Sequence, residues 1–258
     1  MNYEVHGEGE PVVLIMGITA SNEVWEVHRE EWQKHFMCIC PDNRGVGLSD
    51  KPEGEYRSEM MADDVAGLME AIGVEKAHFV GCSMGSIVSQ QMALRYPEKV
   101  KSLVLMCPWA RCDRYAKSIF AHMVQIKENL SADAFMEYIQ LLIFDKTSWD
   151  ADEFFEGLLE GRKDALGNEN PQPLHGLKGQ AAACVNHDVF AQLKGIEQRT
   201  LVIGGENDIF TPRWMEEEIH GELPNSELFL YPDAGHGFHF ENVDDFNHRV
   251  QQFIQEQS

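Results

Sequence analysis

A serine, a histidine and a carboxylate, the residue types that together can break an acyl bond, stand at glycine-marked turns of this 258-residue chain. The serine is Ser83, in Gly81-Cys82-Ser83-Met84-Gly85. The apolar run at residues 77–80 reads as a buried strand and residues 86–96 as a helix. A serine at such a strand-to-helix turn has a strained backbone. Its hydroxyl is pushed out above the sheet, beside a helix N-terminus whose N–H groups can meet negative charge. Glycines two residues to either side remove Cβ atoms that would collide there. A serine hydroxyl is a poor nucleophile at its ordinary pKa and needs a base within hydrogen-bond reach, a role suited to histidine. His236, in Asp233-Ala234-Gly235-His236-Gly237, is the candidate base, because its glycine neighbours allow close approach. His239 is second, although its place in Phe238-His239-Phe240 suggests packing. The base needs an acceptor that fixes its tautomer. Asp208, just past the apolar run at residues 201–204, fits that role, with Asp113 and Asp233 as weaker candidates. An aspartate ahead of Thr211-Pro212 also has a plainer use as a turn cap.

The elements that must hold these turns alternate. Residues 11–16 form a near-continuous apolar run ending at Gly17, as expected of a parallel strand covered on both faces. Ser21 can cap a helix that carries Trp25 and ends near His35; residues 36–40 give a second strand and residues 41–50 a polar, glycine-rich loop. Met61, Val65, Leu68 and Ile72 recur at helical spacing until Gly73 stops the helix. Residues 100–107 supply another strand. From residue 108 the alternation ceases. Helix-like runs such as residues 132–144, with a Gly/Asn/Pro-rich patch at 167–173, predict an inserted helical lid over residues 108–195. Strand character returns at 200–204 and 226–231, and a helix at about 243–254 closes the chain. Residues 1–107 and 196–258 therefore predict one α/β core, a mostly parallel sheet with helices on both faces, because parallel strands need crossover connections.

Composition narrows the partners. Of the residues, 43% are hydrophobic and 25% charged, enough for a full core. No segment has the uninterrupted apolar length of a membrane helix, and Met1-Asn2-Tyr3-Glu4 does not begin a basic-then-apolar leader, so a cytoplasmic protein is expected. The 21 basic against 43 acidic residues give a formal charge of −22, which repels nucleic acid and anionic membranes and favours small-molecule partners. The six cysteines are scattered without Cys-x-x-Cys spacing and read as reduced, mostly buried side chains. Cys38 and Cys40 would share one face of a strand, and Cys82 should point away from the tip of the serine turn. Gly45-Val46-Gly47 lacks the third glycine and later acid of a dinucleotide fingerprint, and no His-Glu-x-x-His spacing occurs, so neither metal nor cofactor is expected.

Taken together, Gly81-Cys82-Ser83-Met84-Gly85, the loop Asp42-Asn43-Arg44-Gly45-Val46-Gly47-Leu48-Ser49, the segment Gly205-Glu206-Asn207-Asp208-Ile209-Phe210-Thr211-Pro212 and Ala234-Gly235-His236-Gly237 resemble the α/β-hydrolase fold superfamily over nearly the whole chain. That superfamily orders its triad as Ser, acid, His at strand ends, which implies Ser83, Asp208 and His236 here. Within it the chain is similar to the small cofactor-free esterases and lactonases of the 3-oxoadipate enol-lactonase and aminoacrylate hydrolase groups. The resemblance implies an oxyanion hole from the backbone N–H groups of Ile18 and Met84. It departs from the family pattern in three places: Met16-Gly17 stands where His-Gly is common, Ser86 follows the elbow in place of glycine, and the first edge strand of many relatives is expected to be missing before the strand at residues 3–6. The lid should supply pocket walls from Trp109, Tyr115, Phe120, Met123, Phe144 and Trp149, with Arg111 or Arg114 as an anchor for a substrate carboxylate or carbonyl. The implied reaction is hydrolysis of a small carboxylic ester or lactone. The alternatives are the same triad acting on a carbamate, amide or C–C bond or as a perhydrolase, and a non-enzymatic ligand-binding protein.

Overall fold

Residues 1–256 are described by a computed structural model. Seven strands form one sheet: β1 (Tyr3–His6), β2 (Glu10–Ile15), β3 (Phe36–Pro41), β4 (Ala77–Cys82), β5 (Val100–Met106), β6 (Arg199–Gly205) and β7 (Ser226–Tyr231), in the order β1-β3-β2-β4-β5-β6-β7. Only the β1–β3 pair is antiparallel; the other five are parallel, as the strand–helix alternation requires. Register places Ile15 opposite Gly81 and Cys82 opposite Met106, so the C-terminal ends of β2, β4 and β5 lie together. In an open parallel sheet, that end is where connections diverge and a crevice forms.

The helices are α1 (Glu26–Trp32), α2 (Ser58–Ala71), α3 (Met84–Arg95), α4 (Arg114–Asn129), α5 (Ala132–Ile143), α6 (Lys146–Trp149), α7 (Asp152–Gly167), α8 (Leu174–Asn186), α9 (Trp214–Glu222), α10 (Phe238–Glu241) and α11 (Val243–Gln255). Alternation along the strands sorts the core into two layers. Val13, Ile15, Phe79, Leu103, Leu105 and Val202 pack with α2, α3 and α9, whereas Val12, Leu14, Val80, Val104, Leu201 and Ile203 pack with Trp25, Trp32, Phe246 and Val250 from the α1/α11 side. Cys38, Cys40 and Cys82 share that second layer, and all six cysteines are free. The expected helix from Ser21 to His35 is shorter. It starts as a 3-10 turn at Asn22–Trp25, and the Ser21 hydroxyl donates to Glu23 instead of capping.

Between β5 and β6 the structure has helices α4 to α8 and no strand of the sheet, but α8 is bonded to the core. Gln180 on α8 accepts from Thr19 N at 3.0 Å and donates to Arg44 O at 2.9 Å, while Tyr56 N donates to Gly179 O at 3.3 Å. A Cβ on Gly176 would lie 2.4 Å from Gly45 O, so backbone meets backbone there. Among the described residues no helix is long and apolar enough to cross a membrane.

Candidate active site

Ser83 links β4 to α3 with φ 53° and ψ −114°, a backbone conformation that residues with a Cβ rarely adopt. The turn is tied down on both sides: Ser83 N donates to Met106 O at 2.8 Å and Ser83 O accepts from Ser86 N at 2.8 Å and from the Ser86 hydroxyl at 2.6 Å. That hydroxyl bond gives Ser86 a local use at a position where relatives often carry glycine. The elbow glycines are required by contact. A Cβ on Gly85 would lie 1.9 Å from Ile15 O, and one on Gly81 would lie 2.4 Å from Gly85 O. A Cβ on Gly17 would lie 3.2 Å from Ser83 Cβ, so the end of β2 lies against the elbow. Asn43 holds that end in place by donating to Met16 O at 2.8 Å. Met84 is the first residue of α3, whose N–H has no partner within the helix, and Ile18 lines the same cavity as Ser83.

His236 Nδ1 lies 2.6 Å from Asp208 Oδ2, and both side chains are buried. Asp208 does the two jobs that its sequence context offered. Oδ1 accepts from Phe210 N at 2.7 Å and Thr211 N at 2.9 Å and so caps the turn, while Oδ2 takes the imidazole and the Thr211 hydroxyl at 2.8 Å. Because a carboxylate accepts from several donors at once, one residue can both shape the loop and orient the ring. Phe210 packs against the imidazole with ring centroids 4.9 Å apart. The Ser83 hydroxyl is buried without a hydrogen-bond partner, and it shares a cavity of about 100 Å³ with His236, Met16, Gly17 and Ile18.

The other candidate residues occupy different settings. The Asp113 carboxylate caps α4 by accepting from Ala116 N at 2.8 Å, and Asp233 is exposed at φ 54°. His239 lines the cavity, but its Nδ1 bonds to His28 Nε2 at 2.9 Å, and His28 Nδ1 bonds to Asn247 at 2.7 Å. Burial pushes His239 well below the ordinary imidazole value and His28 down to about 4, so this pair is neutral and has no carboxylate. Cys82 also lines the cavity, its thiol 4.0 Å from His239 Nε2 and pushed up to about 12 by burial, which leaves it unreactive as a nucleophile.

Trp109 and Arg111 lie outside the cavity. Trp109 is buried behind it, donating to Cys184 O at 3.4 Å and reaching His236 only through Phe120 and Phe210, with centroid separations of 5.9 and 5.3 Å. Arg111 is an exposed side chain paired with Glu218 at 2.7 Å and stacked on the Phe190 ring at 4.0 Å, and Arg114 is exposed on α4. Neither arginine lines the cavity that holds Ser83. Of the expected walls, Met123 lines the cavity. Phe144 and Trp149 line a separate, larger groove of about 740 Å³ between the helical segment and the Asp208 loop.

The glycines around His236 have a different reason from the one expected. A Cβ on Gly235 would lie 2.8 Å from Ile143 O, and one on Gly237 would lie 2.6 Å from the Phe144 ring; Gly237 N donates to Ile143 O at 2.5 Å. The glycines admit the corner between α5 and α6. Glu241 clamps that corner, accepting from Asp145 N at 2.9 Å, the Ser148 hydroxyl at 2.6 Å and Gly235 N at 2.9 Å. Asp145 in turn accepts from Asn207 at 3.0 Å, one residue before Asp208. Asn43, Thr211, Glu241 and Gln180 thus belong to the site's frame. Asn43 and Thr211 lie inside the motif segments, whereas Glu241 and Gln180 carry no sequence signal.

Residues 10–243 match the family model described as the alpha/beta hydrolase fold. A protein of Agrobacterium fabrum that carries the name of a carbamate hydrolase, RutD, is 30% identical over 98% of each chain. Among solved structures, a protein of Mycobacterium tuberculosis that carries the name of a non-heme bromoperoxidase, BpoC, superposes with a TM-score of 0.89 at 27% identity, covering 100% of this chain and 96% of its own. A thermophilic esterase from Thermogutta terrifontis gives 0.87 at 26% identity, covering 100% and 94%.

Proposed function

The chain belongs to the α/β-hydrolase fold family and is a hydrolase, and on that premise we propose that it cleaves a small carboxylic ester or lactone through an acyl-enzyme on Ser83. The observation that carries this reading is the 2.6 Å bond between His236 Nδ1 and Asp208 Oδ2, in the same cavity as a buried serine hydroxyl that makes no hydrogen bond. Asp208 holds the proton on Nδ1, which leaves Nε2 as the basic nitrogen. Nε2 takes the Ser83 proton as Oγ adds to the substrate carbonyl. The charge that develops on the carbonyl oxygen is met by the N–H groups of Ile18 and Met84, the latter at the positive end of α3. Collapse of this intermediate breaks the bond to the leaving oxygen, which receives the proton from His236. Water then adds to the acyl-enzyme by the same steps and releases the acid.

A carbamate presents the same carbonyl to the same groups, and the 30% identity to a protein named as a carbamate hydrolase favours it as the second reading. Hydrolysis of p-nitrophenyl acetate, compared with that of p-nitrophenyl carbamates, tests the assignment. Ser83→Ala is expected to lower kcat by at least about 10³-fold with the fold retained. Activity of that variant within tenfold of wild type would overturn it.

A further inference from the structure

The cavity that holds Ser83 restricts what can remain attached to it. The acyl part of an open-chain ester stays on the serine while the leaving group departs, and a lactone stays on it whole as the opened hydroxyacyl chain, so the space around Ser83 and His236 must hold the group that remains. That space is about 100 Å³, and its side walls are Val24, Met123, Ile139, Ile143, Phe210 and Phe240. An apolar cavity of about 150 Å³ accepts one benzene molecule, so this one is too small for an aromatic ring. No Lys, Arg, Asp or Glu lines it, and the polar side chains that do are Thr19, Cys82, Ser83, His236 and His239. A second carboxylate on the acyl group would be buried there without a cation, which is strongly unfavourable.

The two fully packed walls, Met123 and Phe210, have little freedom to retreat. Met123 is fully buried. Phe210 is wedged between His236 at 4.9 Å and Phe120 at 5.3 Å, and Phe120 is backed by Trp109 at 5.9 Å, whose own indole is bonded to Cys184 O. Close-packed rings of this kind resist expansion, because displacing one displaces the next. Ile139 and Ile143 belong to α5, whose end is clamped by Glu241 and Gly237, so the lid wall is also anchored.

We infer that the acyl group processed at Ser83 is short, aliphatic and uncharged, roughly two to four carbons long. This rests on the hydrolase reading given above and names the substrate class for it. Arg111 and Arg114, the cations that an acidic acyl group would need, do not line the cavity, and Arg111 is paired with Glu218.

The test is kcat/KM of the purified full chain for p-nitrophenyl acetate, butyrate, octanoate, benzoate and hemisuccinate. Octanoate, benzoate and hemisuccinate are each expected at least about tenfold below acetate, the discrimination that a tight apolar pocket supplies. Met123→Ala should narrow the acetate-to-octanoate gap by about tenfold and leave hemisuccinate poor. Ile139→Ala, at a half-buried position, provides the same readout should Met123→Ala fail to fold. Wild-type turnover of octanoate, benzoate or hemisuccinate within tenfold of acetate would overturn the inference while leaving the hydrolase reading intact. A complete absence of Ser83-dependent turnover across the series would overturn both.

Discussion

Asp208→Asn separates the chemical role of Asp208 from its structural one. The Asp208 carboxylate accepts four hydrogen bonds, from Phe210 N, Thr211 N, the Thr211 hydroxyl and His236 Nδ1. Asparagine is nearly isosteric, and its carbonyl oxygen can keep the two backbone bonds at the Oδ1 position, so the loop should persist. Its amide nitrogen then faces Nδ1 and donates where the carboxylate accepted. Nδ1 must become the acceptor, the proton moves to Nε2, and the imidazole can no longer take a proton from Ser83. The negative charge that stabilises the imidazolium is lost as well. A fall in kcat of about 10⁴-fold is expected, or about 5.4 kcal/mol at 1.36 kcal/mol per decade. KM should stay within a few-fold, because the cavity walls are untouched. Asp208→Ala should be as inactive, but it also strands two buried N–H groups, so it should lose about 2–3 kcal/mol of stability where the asparagine variant loses about 1. Steady-state kinetics with p-nitrophenyl acetate and thermal melts of both variants provide the comparison. Asp208→Asn with kcat within tenfold of wild type, or with activity lost only in proportion to stability, would refute the tautomer argument.

Two further outcomes follow from the frame of the site. Glu241→Ala leaves Asp145 N, Gly235 N and the Ser148 hydroxyl without their acceptor, which should destabilise the chain by about 2–3 kcal/mol, roughly a 5–10 °C fall in Tm by calorimetry. Since that corner also braces the His236 loop, kcat should fall by about tenfold more than KM moves, and Glu241→Gln, which keeps an acceptor, should recover part of both; unchanged kcat would show that the corner does not position His236. Glu216 is fully buried with both carboxyl oxygens unpaired, and burial together with the Asp208 charge holds its carboxyl well above the ordinary 4.5. The folded chain then keeps a proton that the unfolded chain releases above that value, so this group makes stability fall as pH rises, by up to about 1.4 kcal/mol per pH unit. Glu216→Gln removes the effect, and its Tm relative to wild type should rise as pH is raised above about 4.5, whereas a constant difference would show that Glu216 does not retain its proton.

Local pattern carried the fold a long way. Period and punctuation located the apolar strands to within one or two residues, because strands buried on both faces are continuous apolar runs with glycine or proline at their ends. The strand–helix–elbow order around Ser83, with Asp208 and His236 at later strand ends, was legible because each sits at a turn whose steric demand leaves a mark in the sequence. What was not legible depends on contacts between distant segments. In the sequence the glycines beside His236 suggest room for the imidazole, whereas in the fold they make room for Ile143 and Phe144, more than 90 positions earlier in the chain. Arg111 suited a substrate anchor by residue type, but Glu218 and Phe190 occupy it, and neither partner is near it in sequence. The helical insertion predicted over residues 108–195 follows from where strand patterns stop and resume. Gln180, however, bonds Thr19 and Arg44, and such side-chain bonds across 136 or more residues have no local signature. Glu216 is the extreme case, a carboxylate on a short polar helix that nothing in its neighbours' pattern marks as buried.

The proposed reaction requires that Ser83 become covalently acylated with His236 as its base. Intact-protein and peptide mass spectrometry after exposure to a small alkyl fluorophosphonate tests it most directly. A single adduct on the peptide containing Ser83 is expected, absent in Ser83→Ala and formed at least about 10³-fold more slowly in His236→Ala. Labelling at another residue, or equal labelling of Ser83 with and without His236, would contradict the account.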